Sequence, residues 1–147
     1  MNILERQITH EGQRNVVVKF TGVLDEGDFI ESPAIRLSEM ANNDSVAGPL
    51  TGFRVDMIEW SMSNGLEVMI EWDSQNPQQL FPISGRGRIN AWNYGGYLPD
   101  TSRIGYTGDI SIKSAGYAAG RVANFTVALE LIKLYRPSYN GTQAGGA

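Results

Sequence analysis

Residues 53–73 read FRVDMIEWSMSNGLEVMIEWD, and this stretch decides the fold class. Asn64-Gly65 is a strong signal for a tight turn, because both residues tolerate the positive φ angles that such turns require. On both sides of the turn, apolar and polar residues alternate with the period of two that is typical of β-strands. The stretch therefore predicts a long antiparallel hairpin with its tip at Asn64-Gly65.

The positions of the apolar residues determine the register of this predicted hairpin. A three-residue loop pairs Met62 with Leu66 and Trp60 with Val68, whereas a two-residue loop would place Met62 opposite Glu67. Apolar pairs stabilise a sheet and polar-apolar mismatches do not, so the three-residue loop is favoured.

The same register has two further consequences. The apolar phase changes between Val55 and Ile58, which predicts a β-bulge near Met57. Glu59 and Glu71 fall together on the solvent-facing side of the predicted hairpin, as one-sided antiparallel sheets allow.

Other segments of the chain also have the pattern of strands. They are Asn15–Leu24, a short strand near 34–37, 79–92 as a strand pair or one strand bent at Gly85 and Gly87, 109–114 and about 121–134. In the last segment alternate residues form an apolar face typical of a core: Phe125, Val127, Leu129 and Leu131. Strands with frequent turn signals and no convincing helix predict an all-β, two-sheet antiparallel β-sandwich of about eight strands, jelly-roll-like in arrangement.

The 147 residues suit one domain with terminal extensions. Residues 1–15 are predicted to form an N-terminal arm, either extended against a neighbour or tucked along the domain edge. Residues 16–136 form the sandwich, in which 25–52 is a long surface excursion because prolines, glycines and an Asn-rich cluster interrupt the strand pattern. Residues 137–147 are predicted to be a flexible tail.

Composition excludes several classes of site. The chain has no cysteine and one histidine, so disulfides, thiolate zinc sites and multi-histidine metal sites are excluded. No run approaches the roughly 18 apolar residues that a membrane helix needs, and no membrane partner is expected. The first residues lack the apolar core of a signal peptide, which predicts synthesis without Sec export or release by another route.

Charge is distributed unevenly along the chain. The net charge is −4, but residues 25–73 contain eleven acidic residues and two arginines. This asymmetry fits a solvated acidic face, or complementary patches that meet in a head-to-tail assembly. An acidic chain without a Lys/Arg cluster does not predict nucleic-acid binding.

Three catalytic or ligand-binding interpretations compete with ordinary structural roles. Glu59 and Glu71 on one face would suit a glycosidase pair, and Asp25, Glu26 and Asp28 would suit a calcium ion. Solubility and turn formation explain these carboxylates better, and the glycine-rich segments lack the lysine that a phosphate loop requires. No catalytic residue, metal ligand or cofactor is therefore predicted.

Aromatic residues carry the strongest interaction signal. Trp92, Tyr94 and Tyr97 lie in a Gly/Tyr-rich loop together with Arg103, and these residue types are enriched at protein interfaces. Packing within the protein, a protein interface and a sugar-stacking platform all remain open for the three aromatics. The complete set of predicted interface residues is Ile3, Leu4, Ile8, Arg86, Arg88, Trp92, Tyr94, Tyr97 and Arg103.

Residues from about 53 to 134 carry a family resemblance in their layout. The Ser-Asn-Gly-Leu turn at 63–66 is followed by ISGRG at 83–87, the Gly/Tyr-rich loop, TGDI at 107–110 and LELIK at 129–133. This layout resembles small virion proteins of tailed bacteriophages. The resemblance implies a β-rich structural subunit without catalytic residues.

Within that class the resemblance favours a capsid decoration, or cement, protein that clamps neighbouring capsomers. It implies the major capsid protein as partner, a homo-oligomer (trimer or dimer), synthesis in the host cytoplasm and a place on the outer surface of the capsid. A neck or tail component is the alternative within the class. A carbohydrate-binding β-sandwich module is the alternative outside it.

Overall fold

A computed structural model describes residues 1–41, 44–45 and 48–135, and this part of the chain forms ten β-strands. The strands are β1 (Ile3–Glu11), β2 (Asn15–Leu24), β3 (Ile30–Ile35), β4 (Asp44–Ser45), β5 (Gly48–Met62), β6 (Glu67–Trp72), β7 (Gln78–Ser84), β8 (Arg86–Asn90), β9 (Ile110–Ala115) and β10 (Ala123–Tyr135). Single turns of 3-10 helix lie at Leu37–Glu39 and Ala91–Tyr94. Among the described residues, no helix is long and apolar enough to cross a membrane.

The strands form two antiparallel sheets, which confirms the predicted all-β sandwich. In sheet A the strand order is β1-β2-β10-β5-β4, and β8 pairs with β5 on the same side as β4. In sheet B the order is β3-β9-β6-β7. The strand β10 is central to sheet A, because it pairs with β2 over ten residues and with β5 along the other side.

The core lies between the two sheets. The apolar face predicted for β10 is confirmed, since Phe125, Val127, Leu129 and Leu131 are all buried. Sheet A adds alternate residues of β2 and β5, and sheet B adds alternate residues of β6 and β9. Burial of this apolar surface is the main force that holds the sheets together.

The hairpin predicted with its tip at Asn64-Gly65 is wrong. The strands β5 and β6 on either side of that turn lie in different sheets, so Trp60 does not pair with Val68. The hairpin partner of β5 is β8, and the hairpin partner of β6 is β7. The four strands β5 to β8 therefore form one long hairpin that bends from sheet A into sheet B, and we call it the bent hairpin. Its tip is the turn at 73–77. Residues 62–66 form the corner at which the chain crosses from sheet A to sheet B.

The second half of the bent hairpin, β7 and β8, changes sheet beside this corner. Gly85, with a φ of 68°, separates β7 from β8, and its carbonyl accepts a hydrogen bond from the Met62 N–H at 2.8 Å. Segment 79–92 was predicted as a strand pair or as one strand bent at Gly85 and Gly87. The structure has two strands that meet at Gly85, whereas Gly87 lies within β8 and pairs with Trp60. The sequence pattern could not separate corner from hairpin, because inward-facing residues of two opposed sheets alternate with the same period as cross-strand pairs do.

The bulge predicted near Met57 is present, at Asp56. Met57 pairs with Glu130 and Val55 pairs with Leu131, which leaves Asp56 as the extra residue of β5. Because an extra residue turns the following side chains over, the bulge explains the change of apolar phase in this strand.

The N-terminal segment takes the second of its two predicted arrangements, along the domain edge. The strand β1 pairs with β2 from Ile3 to Glu11, with Thr9 as an irregularity. Leu4 and Ile8 pack against the core, whereas Ile3 is exposed.

The segment predicted as a surface excursion, 25–52, includes an edge strand of sheet B and the beginning of β5. Ala34 and Ile35 at the end of β3 are buried. The predicted tail, 137–147, lies outside the described residues, as do Asn42 and Asn43 of the Asn-rich cluster.

Candidate functional site

The segment 91–109, between β8 and β9, is the best candidate for an interaction site, and we call it the anchored loop. Tyr97 forms two backbone hydrogen bonds with Val55, both 2.9 Å long. Tyr106 Oη donates to the Thr51 carbonyl at 2.9 Å, so the loop lies along β5 between β4 and β8. Backbone hydrogen bonds of this kind hold a loop in one conformation.

A second set of contacts fixes the loop to the tip of the bent hairpin. The Asp100 N–H donates to Gln78 Oε1 at 2.6 Å, and Arg103 donates to the Asn76 carbonyl at 3.0 Å. The Thr107 hydroxyl donates to Asp73 Oδ2 at 2.9 Å. The anchored loop is therefore attached to both sheets of the sandwich.

The start of the loop rests on the bulge in β5. Arg54 Nε and Nη2 donate to the two carboxylate oxygens of Asp56 at 2.7 and 3.1 Å, and Asp56 is buried. This bidentate contact raises the pKa of Arg54. Gly96 has a φ of 79°, and a Cβ at this position would lie 2.6 Å from Asp56 Oδ1. The close approach requires glycine here.

Four large hydrophobic side chains of the anchored loop face solvent. Trp92 is 57% exposed, Tyr94 63%, Leu98 59% and Ile104 79%. The described residues contain nine exposed large hydrophobic side chains in all, so almost half of them belong to this one loop. Exposed apolar groups on a rigid backbone are typical of interaction sites.

Two of the predicted aromatics form a pair. Tyr94 Oη and Tyr97 Oη lie 3.0 Å apart, and the rings meet edge to face with centroids 6.0 Å apart and an interplanar angle of 64°. The hydrogen bond with Tyr94 raises the pKa of Tyr97. Because the ring planes are far from parallel, the pair does not present one flat surface to a sugar ring. Tyr97 also packs against the core, so it fixes the position of Tyr94.

The end of the loop contains Arg103 and a half-buried tyrosine. Arg103 Nε lies 3.7 Å from an oxygen of Asp100, and Arg103 borders a small depression of about 170 Å³ with Ile104 and Gln75. Burial raises the pKa of Tyr106 to about 12. Arg103 shares the loop with the predicted aromatics, and its contacts there are with Asp100 and with Asn76 at the hairpin tip.

The remaining predicted interface residues lie elsewhere. Ile3 is on the outer face of sheet A at its β1 edge, opposite Val23, while Leu4 and Ile8 face inward. Arg86 and Arg88 share one face of β8, and both are exposed.

The carboxylates predicted as a possible glycosidase pair are not together. Glu59 is exposed on sheet A, whereas Glu71 is buried on sheet B, 3.2 Å from Lys113 Nζ. The prediction that they share one face of a hairpin is wrong, because the chain changes sheet between them.

The acidic turn after β2 has separate structural roles. Asp25 and Glu26 contact the N-terminal ammonium, and Asp28 accepts hydrogen bonds from Ser114 Oγ and the Tyr117 N–H. Over residues 1–41, 44–45 and 48–135, no group of three or more metal-ligating side chains is arranged to hold an ion.

Sequence reasoning missed two of the four exposed loop residues. Leu98 and Ile104 are single apolar residues among glycines, prolines and polar residues, where no strand pattern predicts burial. Isolation of this kind does not separate exposed from buried residues, because Met40 and Leu66 also lie outside the strands and are buried. Comparisons with protein families and with curated proteins give no match for this chain.

Proposed function

We propose that this protein is a non-enzymatic structural subunit of a tailed-bacteriophage virion that binds the outside of the capsid through its anchored loop. The observation that carries the proposal is the exposure of Trp92, Tyr94, Leu98 and Ile104 on a loop attached to both sheets. Tryptophan and tyrosine contribute most to binding energy at protein interfaces, and little conformational entropy is lost when they are already held in place.

The nature of the partner comes from the resemblance of residues 53–134 to small virion proteins. In this proposal the partner is the major capsid protein, the protein is a dimer or trimer, and its place is the outer capsid surface. Apolar side chains that bind two neighbouring capsomers would stabilise the shell, because separation of the capsomers would expose these side chains to water again. A neck or tail position is the alternative within the same class.

The second candidate function is carbohydrate binding. The exposure of Trp92 favours it, because an indole face can stack on a sugar ring. The edge-to-face arrangement of Tyr94 and Tyr97 disfavours an extended platform beside it.

The test uses heads of the virus whose genome encodes the chain, prepared without this protein. Purified protein is added, and binding is measured by co-sedimentation and negative-stain imaging, together with the temperature at which the heads rupture. We expect saturable binding to the shell and a higher rupture temperature. A double variant, Trp92→Ala with Tyr94→Ala, should lose most of the binding, whereas Val122→Ala, an exposed apolar residue outside the loop, should not.

Three outcomes would overturn the proposal. Full binding by the double variant would exclude the loop as the docking site. Decoration of the neck or tail in place of the shell would establish the alternative within the class. A glycan-dependent change in tryptophan fluorescence that is lost in Trp92→Ala, without binding to heads, would establish carbohydrate binding.

A further inference from the structure

The outer face of sheet A contains a depression that the anchored loop does not explain. Its volume is about 480 Å³, which lies in the range of ligand-binding clefts. Ser61, Thr126 and Ala128 line it, and Lys19, Arg86 and Arg88 also border it. We call it the basic groove.

Side-chain size across the sheet produces the groove. One row of paired residues runs Lys19, Ala128, Glu59, Arg88 across four strands, and the next row has Thr126 and Ser61 at its centre with Arg86 at its edge. In the first row the small side chain of Ala128 lies between Lys19 and Glu59. In the second row small side chains on the three inner strands lie between Glu5 on β1 and Arg86 on β8. Adjacent strands are about 4.8 Å apart, so Lys19 and Arg88 begin about 14 Å from each other.

The cations around the groove are unlike most others in this protein. Elsewhere in the described chain, ion pairs join five lysines and arginines to carboxylates: Arg6, Arg54, Arg103, Lys113 and Lys133. No ion pair within 1–41, 44–45 and 48–135 involves Lys19, Arg86 or Arg88. Arg88 donates to Asn90 Oδ1 at 3.3 Å, and Glu59 is paired opposite Arg88 across the strands without forming an ion pair. Three exposed cations and one carboxylate give the groove a positive potential on a chain whose net charge is −4.

The groove continues into a second depression. This one is about 290 Å³ in volume, shares Ser61 and Thr126 with the first, and ends at Ile3, Val23 and the exposed Glu5. Ile3 and Val23 are both exposed, and they face each other on β1 and β2. The combined trough therefore crosses the sheet from a basic end at β8 to an end at β1 where two apolar side chains lie beside the carboxylate of Glu5. Three cations and two carboxylates, Glu5 and Glu59, line the whole trough.

We propose that this trough binds an extended acidic segment of a partner protein, with its carboxylates at Lys19, Arg86 and Arg88 and an apolar side chain at Ile3 and Val23. Charge complementarity favours an acidic ligand, and the elongated shape with two apolar side chains at one end favours a peptide over a compact anion. This inference does not depend on the partner being a capsid or on the anchored loop.

Fluorescence anisotropy of a labelled six-residue peptide of alternating glutamate and leucine tests the proposal in solution. We expect saturable binding that weakens as salt is added, because exposed charge pairs are screened. The matched peptide with glutamine in place of glutamate should bind at least about tenfold more weakly. Inorganic phosphate should not compete with the acidic peptide.

Substitutions of the groove cations test whether the peptide binds in the basic groove. Arg86→Gln combined with Arg88→Gln should weaken binding of the acidic peptide about tenfold, because two exposed charge pairs are lost. Lys19→Gln, which removes the cation on the opposite side of the groove, should also weaken binding of the acidic peptide. The matched control, Arg14→Gln with Arg121→Gln, removes two exposed cations outside the groove and should leave the affinity unchanged. All of these side chains are exposed, so the variants should keep the melting temperature of the parent protein.

Equal affinity for the glutamate and glutamine peptides would overturn the proposal, as would equal losses in the groove and control variants. Binding of heparin, an anionic polysaccharide, without binding of the acidic peptide would assign the groove to a glycan. The Trp92→Ala, Tyr94→Ala protein should still bind the acidic peptide, so failure of this inference and failure of the proposed function are separable.

Discussion

Lys133 Nζ lies 2.8 Å from Glu11 Oε2, and this contact joins the central strand β10 to the end of the edge strand β1. The ammonium also donates to the carbonyls of Gly12 and Ala41 at 2.8 and 2.6 Å. The Ala41 N–H donates to the same Glu11 oxygen at 2.5 Å. Lys133 is only 3% exposed, so one buried cation holds the β1–β2 turn and the segment after β3 against β10.

Lys133→Met should therefore destabilise the protein strongly. The variant leaves Glu11 without its partner and two carbonyls without a donor, and loss of one member of a buried pair costs about 3 kcal/mol or more. Chemical denaturation would measure the change in the free energy of unfolding. Lys19→Met, at an exposed position, should change it by less than about 0.5 kcal/mol. Equal effects of the two substitutions would show that the buried contact contributes nothing.

The stability of the protein should fall in acid through Glu11. Burial acts to raise the pKa of Glu11, but hydrogen bonds from Lys133 and the Ala41 N–H outweigh it, and the pKa lies below its ordinary value of 4.5. A carboxyl group with a lowered pKa stabilises the folded state when ionised. Its contribution is complete above 4.5 and is lost as the pH falls through the lower folded-state value.

Urea unfolding across this acid range would measure the loss. Glu11→Gln should be less stable than the parent protein at neutral pH and should lose less stability on acidification. A parallel decline of both proteins would mean that other carboxylates account for the acid sensitivity.

Gly22 should not tolerate a side chain. Gly22 pairs with Phe125 across β2 and β10, and the Phe125 ring occupies the space that a Cβ at Gly22 would need. Phe125 also stacks on Phe29, with ring centroids 5.2 Å apart and planes nearly parallel, so it has little room to move. Gly22→Ala should cost about 1–3 kcal/mol by overpacking.

A double-mutant cycle checks the cause of this loss. In the background of Phe125→Leu the shorter side chain leaves space, and the added cost of Gly22→Ala should be clearly smaller. Additive costs would indicate that the backbone conformation at Gly22, and not the ring, is responsible.

The exposed aromatics of the anchored loop should contribute little to folding. Trp92→Ala and Tyr94→Ala should each change the free energy of unfolding by less than about 0.5 kcal/mol, because both side chains are mostly in water. Tyr97→Ala should cost about 1–2 kcal/mol, since Tyr97 packs against the core. Thermal melts of the three variants would show this order. A large loss in Trp92→Ala would mean that its role is structural.

Tyr106 should ionise late in an alkaline titration. Burial, with a smaller effect of the Asp109 charge, raises its pKa to about 12. Ultraviolet absorbance would follow tyrosinate formation, and Tyr106→Phe should remove the last step of the titration. Removal of an earlier step would show that the Tyr106 hydroxyl is accessible to water.

The sequence predicted strands better than it predicted their partners. The bounds of β2 and the buried face of β10 follow from local alternation, which reports which side of a strand meets the core. Pairing depends on contacts between distant segments. The Asn64-Gly65 turn was identified correctly, but nothing local distinguishes a turn inside one sheet from a corner between two.

The candidate site was predicted in part for a similar reason. Trp92, Tyr94 and Arg103 have the composition of an interface, and their loop is distinct in the sequence. The groove at Arg86 and Arg88 needed the register of four strands, because Lys19 and Ala128 reach it from positions far along the chain. Pairing between distant strands brings these residues into one groove, and no short sequence motif indicates that pairing.

The corner at 62–66 and Gly85 also has a mechanical consequence. Two neighbouring strands cross there together, so covalent backbone links the layers of the sandwich twice at one point. A shearing force that acts on one layer is therefore passed to the other through this backbone. Under a force that pulls on both faces, the two layers should unfold together.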